Sequence, residues 1–282
     1  MKTISHSTIV NAVRKMCIDA ACTLPEDVLA RIRQARSDEP FPRAQVILDQ
    51  IIENANIADN KRVPICQDTG FALFFVKIGD NVRIEGGTLE DALNEGTGGG
   101  YVGGYLRGSI VSDPIFDRKN TLDNTPAMIH IDLTKGDELE ITLLPKGGGS
   151  ENMGALAMLK PSDGLRGVMD FVKNTVVSAG GNPCPPVVVG VGVGGTADAA
   201  CLLAKKALLR PLGKYHNDER YAKLEKDLLN EINASGVGPQ GLGGKHTALW
   251  VSAEYAPCHI ASMPVAVSIN CHAARRVSVR II

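Results

Sequence analysis

The 282-residue sequence predicts an α+β (mixed α/β) fold: a helical N-terminal region over about residues 1–60, then mixed and antiparallel sheets flanked by helices. Three observations predict it. Apolar residues recur at helical spacing through the first sixty positions. Downstream, β-branched and aromatic runs alternate with helical patterns. Those runs do not form a clean strand–helix–strand repeat, so a purely doubly wound sheet is not expected.

Residues 7–20 place Ile9, Val13 and Met16 on one face of a first helix. A second helix is expected from TLPEDVLARI, with Thr23 as N-cap and acids in the first turn. A third covers 42–56. FALFFVKIG (71–79) reads as a strand, and MIHIDL (128–133) and ELEITLLP (138–145) as a strand pair joined by TKGD. Helices are expected at 152–160 and 164–179. PPVVVGVGVGG is a β-branched strand running into glycines, and TADAACLLAKKALL a helix. HNDERYAKLEKDLLNEINAS reads as a charged, exposed helix, and HTALWVSAEY and VAVSINC as strands. With no internal repeat or low-complexity linker, residues 1–282 are expected to form one domain.

Thirty Lys+Arg against 31 Asp+Glu leave a net charge of −1, which gives no basic footprint for nucleic acid. Aromatic residues are only 4%, too few for base-stacking surfaces. No stretch approaches the roughly 20 apolar residues of a membrane span, and the N-terminus lacks the apolar centre of a signal peptide. A cytoplasmic location with reduced cysteines is therefore expected.

Glycine clusters at 96–108, 146–154, 190–195 and 236–245. Such clusters mark positive φ or backbone approached closely by something else, and four of them suggest loops gathered around a small ligand. GVGVGG follows a strand and precedes a helix but lacks the Lys-Ser/Thr of a phosphate loop. A small anion at that helix N-terminus remains open. KGGGSEN can aim several N–H groups, with Lys146, at a carboxylate, or can be a turn capped by Ser150. Arg107, framed by glycines, can grip a carboxylate or lie solvated on a loop.

Of seven cysteines, Cys17, Cys22 and Cys201 fall in helical patterns and read as small apolar core residues. Cys258 lies between Pro257 and His259. Cys66 in PICQDTG, Cys184 in GNPCPP and Cys271 in INCHAAR share a different setting, at strand ends beside proline, polar or small residues. No C-x-x-C spacing occurs, so neither a zinc ribbon nor a ferredoxin-type cluster is indicated.

Taken together, PICQDTG, YLRGSIV, LPKGGGSENMG, GNPCPPVVVGVGVGGTAD, GPQGLGGKHTAL and INCHAARR resemble the N-terminal (alpha) half of the class I, iron–sulfur fumarate hydratases and L-tartrate dehydratases, over roughly residues 5–280. The resemblance implies a hydro-lyase in which Cys66, Cys184 and Cys271 bind a [4Fe–4S] cluster and one iron lacks a protein ligand. It implies that Asp68 is the acid beside the departing hydroxyl. It places Gln67, Arg107, the Gly148–Gly149 backbone, His259 and Lys245 toward substrate, with Asp198 and His272 further out. It further implies oxygen-sensitive activity. The beta half is not in this sequence, so the resemblance implies a separate beta subunit, an alpha2beta2 heterotetramer, and turnover only in its presence. The expected reaction is hydration of fumarate to (S)-malate, or alternatively dehydration of L(+)-tartrate to oxaloacetate. Two rivals of other classes stand beside it: a non-catalytic anion- or nucleotide-binding module, and a zinc hydrolase using Cys and His.

Overall fold

A computed structural model describes residues 1–281 and shows the mixed α+β class expected, arranged as two compact units. The first unit comprises Met1–Pro25, Ala55–Gly148 and the chain from Arg275 onward; the second comprises Glu26–Asn54 and Gly149–Ala274.

In the first unit, β1 (Lys2–Ser5) leads into α1 (His6–Cys22), whose N-cap Ser5 hydroxyl accepts from the Thr8 N–H at 3.1 Å. The buried positions Ile9, Val13, Met16, Cys17 and Ala20 follow the 3.6-residue period. β1 pairs in parallel with β3 (Val82–Glu85). The four-stranded sheet has the order β10-β5-β2-β4, from β2 (Phe71–Gly79), β4 (Met128–Thr134), β5 (Leu139–Lys146) and β10 (Val277–Ile281). β4 and β5 are therefore not the hairpin the sequence suggests. β2 lies between them, parallel to β4 and antiparallel to β5, because its run Ala72–Val76 is buried throughout and needs a partner on each edge.

The glycine run 96–103 is not a loop. It lies within α4 (Leu89–Gly103), which packs on α1. A Cβ at Gly96 would sit 2.6 Å from Val13 Cβ, and one at Gly100 2.7 Å from Cys17 Cβ. Glycine here brings two helix backbones together. Thr23 also departs from expectation. Its N–H closes the end of α1 on the Asp19 carbonyl at 2.9 Å, and it caps no following helix.

The second unit contains α2 (Glu26–Asp38), the first part of α3 (Pro42–Lys61) and a sheet of order β6-β9-β7-β8. Its strands are β6 (Ala155–Leu159), β7 (Val187–Gly194), β8 (Ala248–Ala256) and β9 (Met263–Asn270). The short α5 (Gly148–Glu151) precedes β6. The helix expected at 152–160 is instead β6, an edge strand antiparallel to β9; pairing and alternating burial override the helical propensity of ALAML. α6 (Gly164–Ala179) and α8 (Glu219–Asn233) supply apolar residues that pack with Val187, Val189 and Val191 of β7. α7 (Ala197–Ala207) covers the opposite face of the strand, where a Cβ at Gly190 or Gly192 would lie 2.1 or 2.0 Å from the carbonyl oxygens of Ala204 and Ala200. α8 is not exposed throughout. Leu224, Leu228 and Ile232 are buried, as is Glu225, whose carboxylate accepts from Arg210 Nη1 at 2.6 Å and the Ala253 N–H at 2.8 Å. No described helix is long and apolar enough to cross a membrane.

Candidate functional site

In the first unit the chain leaves α3 and reaches β2 through a turn at 63–70. Ile65 is buried and its N–H donates to the Ala21 carbonyl at 3.0 Å, which delivers the next residue, Cys66, to a half-buried position. Cys66 Sγ accepts the Asp68 N–H at 3.4 Å, and its S–H donates to Gln67 Oε1 at 3.3 Å. Asp68 uses both carboxylate oxygens. Oδ1 accepts the Gly70 N–H at 2.9 Å, and Oδ2 accepts the Gly148 N–H at 2.8 Å. A Cβ at Gly147 would lie 3.1 Å from Oδ2, so this approach of β5 to the carboxylate favours glycine. The Gly148 N–H, expected to face substrate, is thus engaged by Asp68.

The backbone of the turn is gripped from several directions. The Asp68 carbonyl accepts from Arg275 Nη2 at 3.0 Å. The Gly70 carbonyl accepts from the Tyr101 hydroxyl at 2.9 Å and Asn124 Nδ2 at 3.1 Å. The Thr69 hydroxyl accepts the Arg107 N–H at 3.0 Å and donates to the Arg107 carbonyl at 3.3 Å. Thr69 and Asn124 are buried, whereas Gln67 and Arg107 are exposed. Lys146, read as a charge for the glycine turn, is fully buried at the end of β5.

In the second unit Cys184 is exposed at φ 53°, with its N–H on the Gly181 carbonyl at 3.0 Å. Its own carbonyl accepts from the His272 N–H at 3.3 Å and from His272 Nδ1 at 3.0 Å. His272 thereby ties the Cys184 turn to the segment that carries Cys271, half-buried just beyond β9. Gln240 steadies the same turn, donating to the Pro185 carbonyl from its main chain at 2.7 Å and from Nε2 at 2.9 Å.

Lys245 and His259 each have local partners of their own. The Lys245 N–H is held by the buried Glu39 carboxylate at 3.0 Å, and its exposed Nζ donates to the Asp38 carbonyl at 3.5 Å. His259 is exposed between β8 and β9, its Nδ1 accepting the Ala261 N–H at 3.1 Å. Asp198 sits in the first turn of α7. There the Thr196 hydroxyl donates to it at 2.5 Å and holds its carboxyl below the usual range. Gly149 is exposed near the Asn182 carbonyl, 3.5 Å from where its Cβ would be.

The donor set separates the cysteines by chemistry. Burial pushes the Cys17 thiol up to about 12 despite a Thr97 hydrogen bond, and burial also raises Cys22. Neither can readily present the thiolate that a metal requires. Cys66, Cys184 and Cys271 are all at least partly exposed, and Cys66 Sγ accepts the Asp68 N–H. By exposure each of the three fits a thiolate ligand; Cys66 belongs to the first unit, Cys184 and Cys271 to the second. Among the described residues, no group of three or more His, Cys, Asp or Glu side chains is gathered closely enough to hold a metal ion.

Arg275, Thr69, Tyr101, Asn124 and Gln240 were not singled out from the sequence. The only signal for Arg275 was its place in CHAARR, four residues after Cys271.

Comparison with known proteins gives the family and its relatives. Residues 10–280 match the family described as Fumarate hydratase (Fumerase). The putative L(+)-tartrate dehydratase subunit alpha of Methanocaldococcus jannaschii is 46% identical over 277 residues, 97% of each chain. The L(+)-tartrate dehydratase subunit alpha of Escherichia coli strain UTI89 is 36% identical over 262 residues, 92% of this chain and 86% of that one. Its counterpart in strain K12 is 35% identical over 257 residues, 90% of this chain and 84% of that one.

Proposed function

The chain belongs to the fumarate hydratase (Fumerase) family of hydro-lyases, and from that premise we propose that it is the alpha subunit of an enzyme removing water reversibly from a four-carbon 2-hydroxydicarboxylate. The observation that carries this reading is the Asp68 carboxylate, oriented by the Gly70 and Gly148 N–H groups two residues from the Cys66 thiol.

Loss of water requires a proton for the departing hydroxyl. We assign that proton transfer to Asp68. Each of its oxygens accepts one backbone N–H, leaving a second lone pair on each for a proton shared with substrate. The two N–H groups fix the carboxylate's direction, so it need not reorganise during the reaction. Arg107 offers a planar fork for one substrate carboxylate, with Gln67, the Gly149 N–H, His259 and Lys245 as further donors. Cys66, Cys184 and Cys271 would hold a [4Fe–4S] cluster whose iron without a protein ligand would polarise the hydroxyl and a carboxylate. A centre of that kind is labile to oxygen and suits a reducing cytoplasm.

The relatives are named as alpha subunits, which supports a separate beta subunit here; we propose an alpha2beta2 assembly of the two. The family description favours the fumarate–(S)-malate pair. A second reading, L(+)-tartrate to oxaloacetate, is favoured by the names of the relatives. The two substrates differ by one hydroxyl, which a site separates strongly only by bonding or excluding it.

The test is kcat/KM on (S)-malate and on L(+)-tartrate for the anaerobically purified pair of subunits, with Asp68→Asn alongside. The variant is expected to keep its iron and to lose about 10²–10⁴ in kcat on the true substrate. Wild-type kcat in Asp68→Asn would remove Asp68 from the chemistry. Inactivity of the wild-type pair on both acids would remove the substrate class.

A further inference from the structure

Arg275 lies in the same unit as the Cys66–Gly70 turn, and its side chain is only 2% exposed. Its Nη2 holds the Asp68 carbonyl at 3.0 Å. Its Nε and Nη1 are buried with no hydrogen-bond partner among the described residues. Neighbouring carbonyls of the turn are held differently. Gly70 is gripped by a neutral hydroxyl and a neutral amide, from Tyr101 and Asn124. A neutral donor would equally serve the Asp68 carbonyl. A guanidinium there brings a desolvated positive charge that no carboxylate pairs among the described residues, which is costly unless an anion completes it.

We infer that Arg275 is a positioning residue whose unpartnered N–H groups and charge are completed by an anionic metal–sulfur centre anchored through Cys66. The inference rests on the reading above that Cys66 is a ligand of such a centre. On this account the guanidinium has two tasks. One N–H fixes the backbone from which Asp68 projects. The unpartnered Nε and Nη1 groups, with the positive charge, lower the cost of negative charge accumulating beside the turn. The cysteine ligand and the acid are then tuned by one group that touches neither substrate nor reacting atoms. Hydrogen bonds and charges of this outer kind typically set the retention and reactivity of a metal centre.

The experiment compares full-length wild type, Arg275→Gln and Arg275→Lys, each purified anaerobically with the partner subunit. Iron and sulfide per chain, and the rate at which visible absorption decays under excess chelator, are measured apart from activity. Arg275→Gln keeps a neutral donor for the carbonyl. It is expected to lose its absorption about tenfold faster than wild type and to lose about tenfold in kcat, with KM little changed. Arg275→Lys retains the charge and is expected to recover much of the lifetime. Decay and kcat at wild-type values in Arg275→Gln would overturn the inference. So would decay in Arg275→Lys as fast as in Arg275→Gln, because charge would then not matter. Failure of both variants to fold, judged by far-ultraviolet circular dichroism, would assign Arg275 a purely structural role and equally overturn it. A wild-type protein that takes up no iron would instead overturn the reading of Cys66 as a ligand, and the inference with it.

Discussion

Two kinds of glycine-rich region in this chain look alike in composition and do opposite work. In α4 and β7 the glycines are seams. Gly100 lets α4 lie against Cys17 of α1, and Gly192 lets β7 lie against the backbone of α7. In the turn after β5, Gly147 and Gly148 admit a carboxylate, that of Asp68, to backbone N–H groups. The first kind of glycine is matched by a neighbour's main chain or Cβ, the second by the polar end of a side chain, the Asp68 carboxylate. The difference teaches that a glycine cluster states only that something comes close. What comes close has to be found in space.

Substitutions can break or sharpen that contrast. The largest effect is expected at Gly192→Ala, whose new methyl would meet the Ala200 carbonyl oxygen at 2.0 Å. Strand and helix must move apart, and a loss of about 4 kcal/mol or more, or no folded protein, is expected in urea unfolding. Next comes Gly148→Pro, which deletes the N–H that holds Asp68 Oδ2 while leaving a residue tolerated at the start of the short α5. Its expected signature is a kcat lower by about 10² with an unchanged urea midpoint, the reverse of the seam substitutions. Gly100→Ala is milder than Gly192→Ala, because its clash at 2.7 Å is with a side-chain atom, Cys17 Cβ. About 1–3 kcal/mol of stability should be lost, with kcat of the folded fraction intact. A stable, inactive Gly100→Ala protein would erase the distinction between seam and site. The smallest effect concerns the thiol under the α1–α4 seam. With burial raising Cys17 to about 12, its thiolate is scarce at pH 8 and becomes available only as pH approaches that value. In the native apoprotein, a thiol reagent at pH 8 should label Cys66, Cys184 and Cys271 well before Cys17; equal labelling rates would show that α4 does not shield α1.

Much of this was legible in the sequence where a local rule and the fold agree. FALFFVKIG is β2 from end to end, and the period-3.6 stripe of Ile9, Val13 and Met16 faces the core from α1. The acid Asp68 and the thiol Cys66 share a turn, as their spacing in PICQDTG suggested. What was not legible depended on partners distant in the chain. β4 and β5 are near neighbours in sequence, yet β2 lies between them, since nothing in TKGD records that a third strand needs both edges. ALAML has the propensity of a helix and becomes β6 because β9 offers it a ladder. The glycines of α4 read as loop because their reason, the side chains of α1, lies some eighty residues upstream. Around Asp68, local sequence singled out the acid and the thiol of the turn, whereas the donors that hold the turn's backbone, Arg275, Tyr101 and Asn124, come from three remote segments with no shared pattern.

The buried Thr69 hydroxyl, bonded to both the N–H and the carbonyl of Arg107, has a consequence for binding entropy. A loop arginine that recognises a carboxylate ordinarily surrenders backbone freedom when its ligand arrives, and that loss weakens binding. Here two hydrogen bonds lock the backbone at Arg107 to the residue beside Asp68 as the chain folds, before any ligand is present. If Arg107 anchors a substrate carboxylate as proposed, only its side-chain torsions would remain to be frozen on binding. The spacing between Arg107 and Asp68 is inherited from the fold, so a dicarboxylate would meet a ruler whose length is already set.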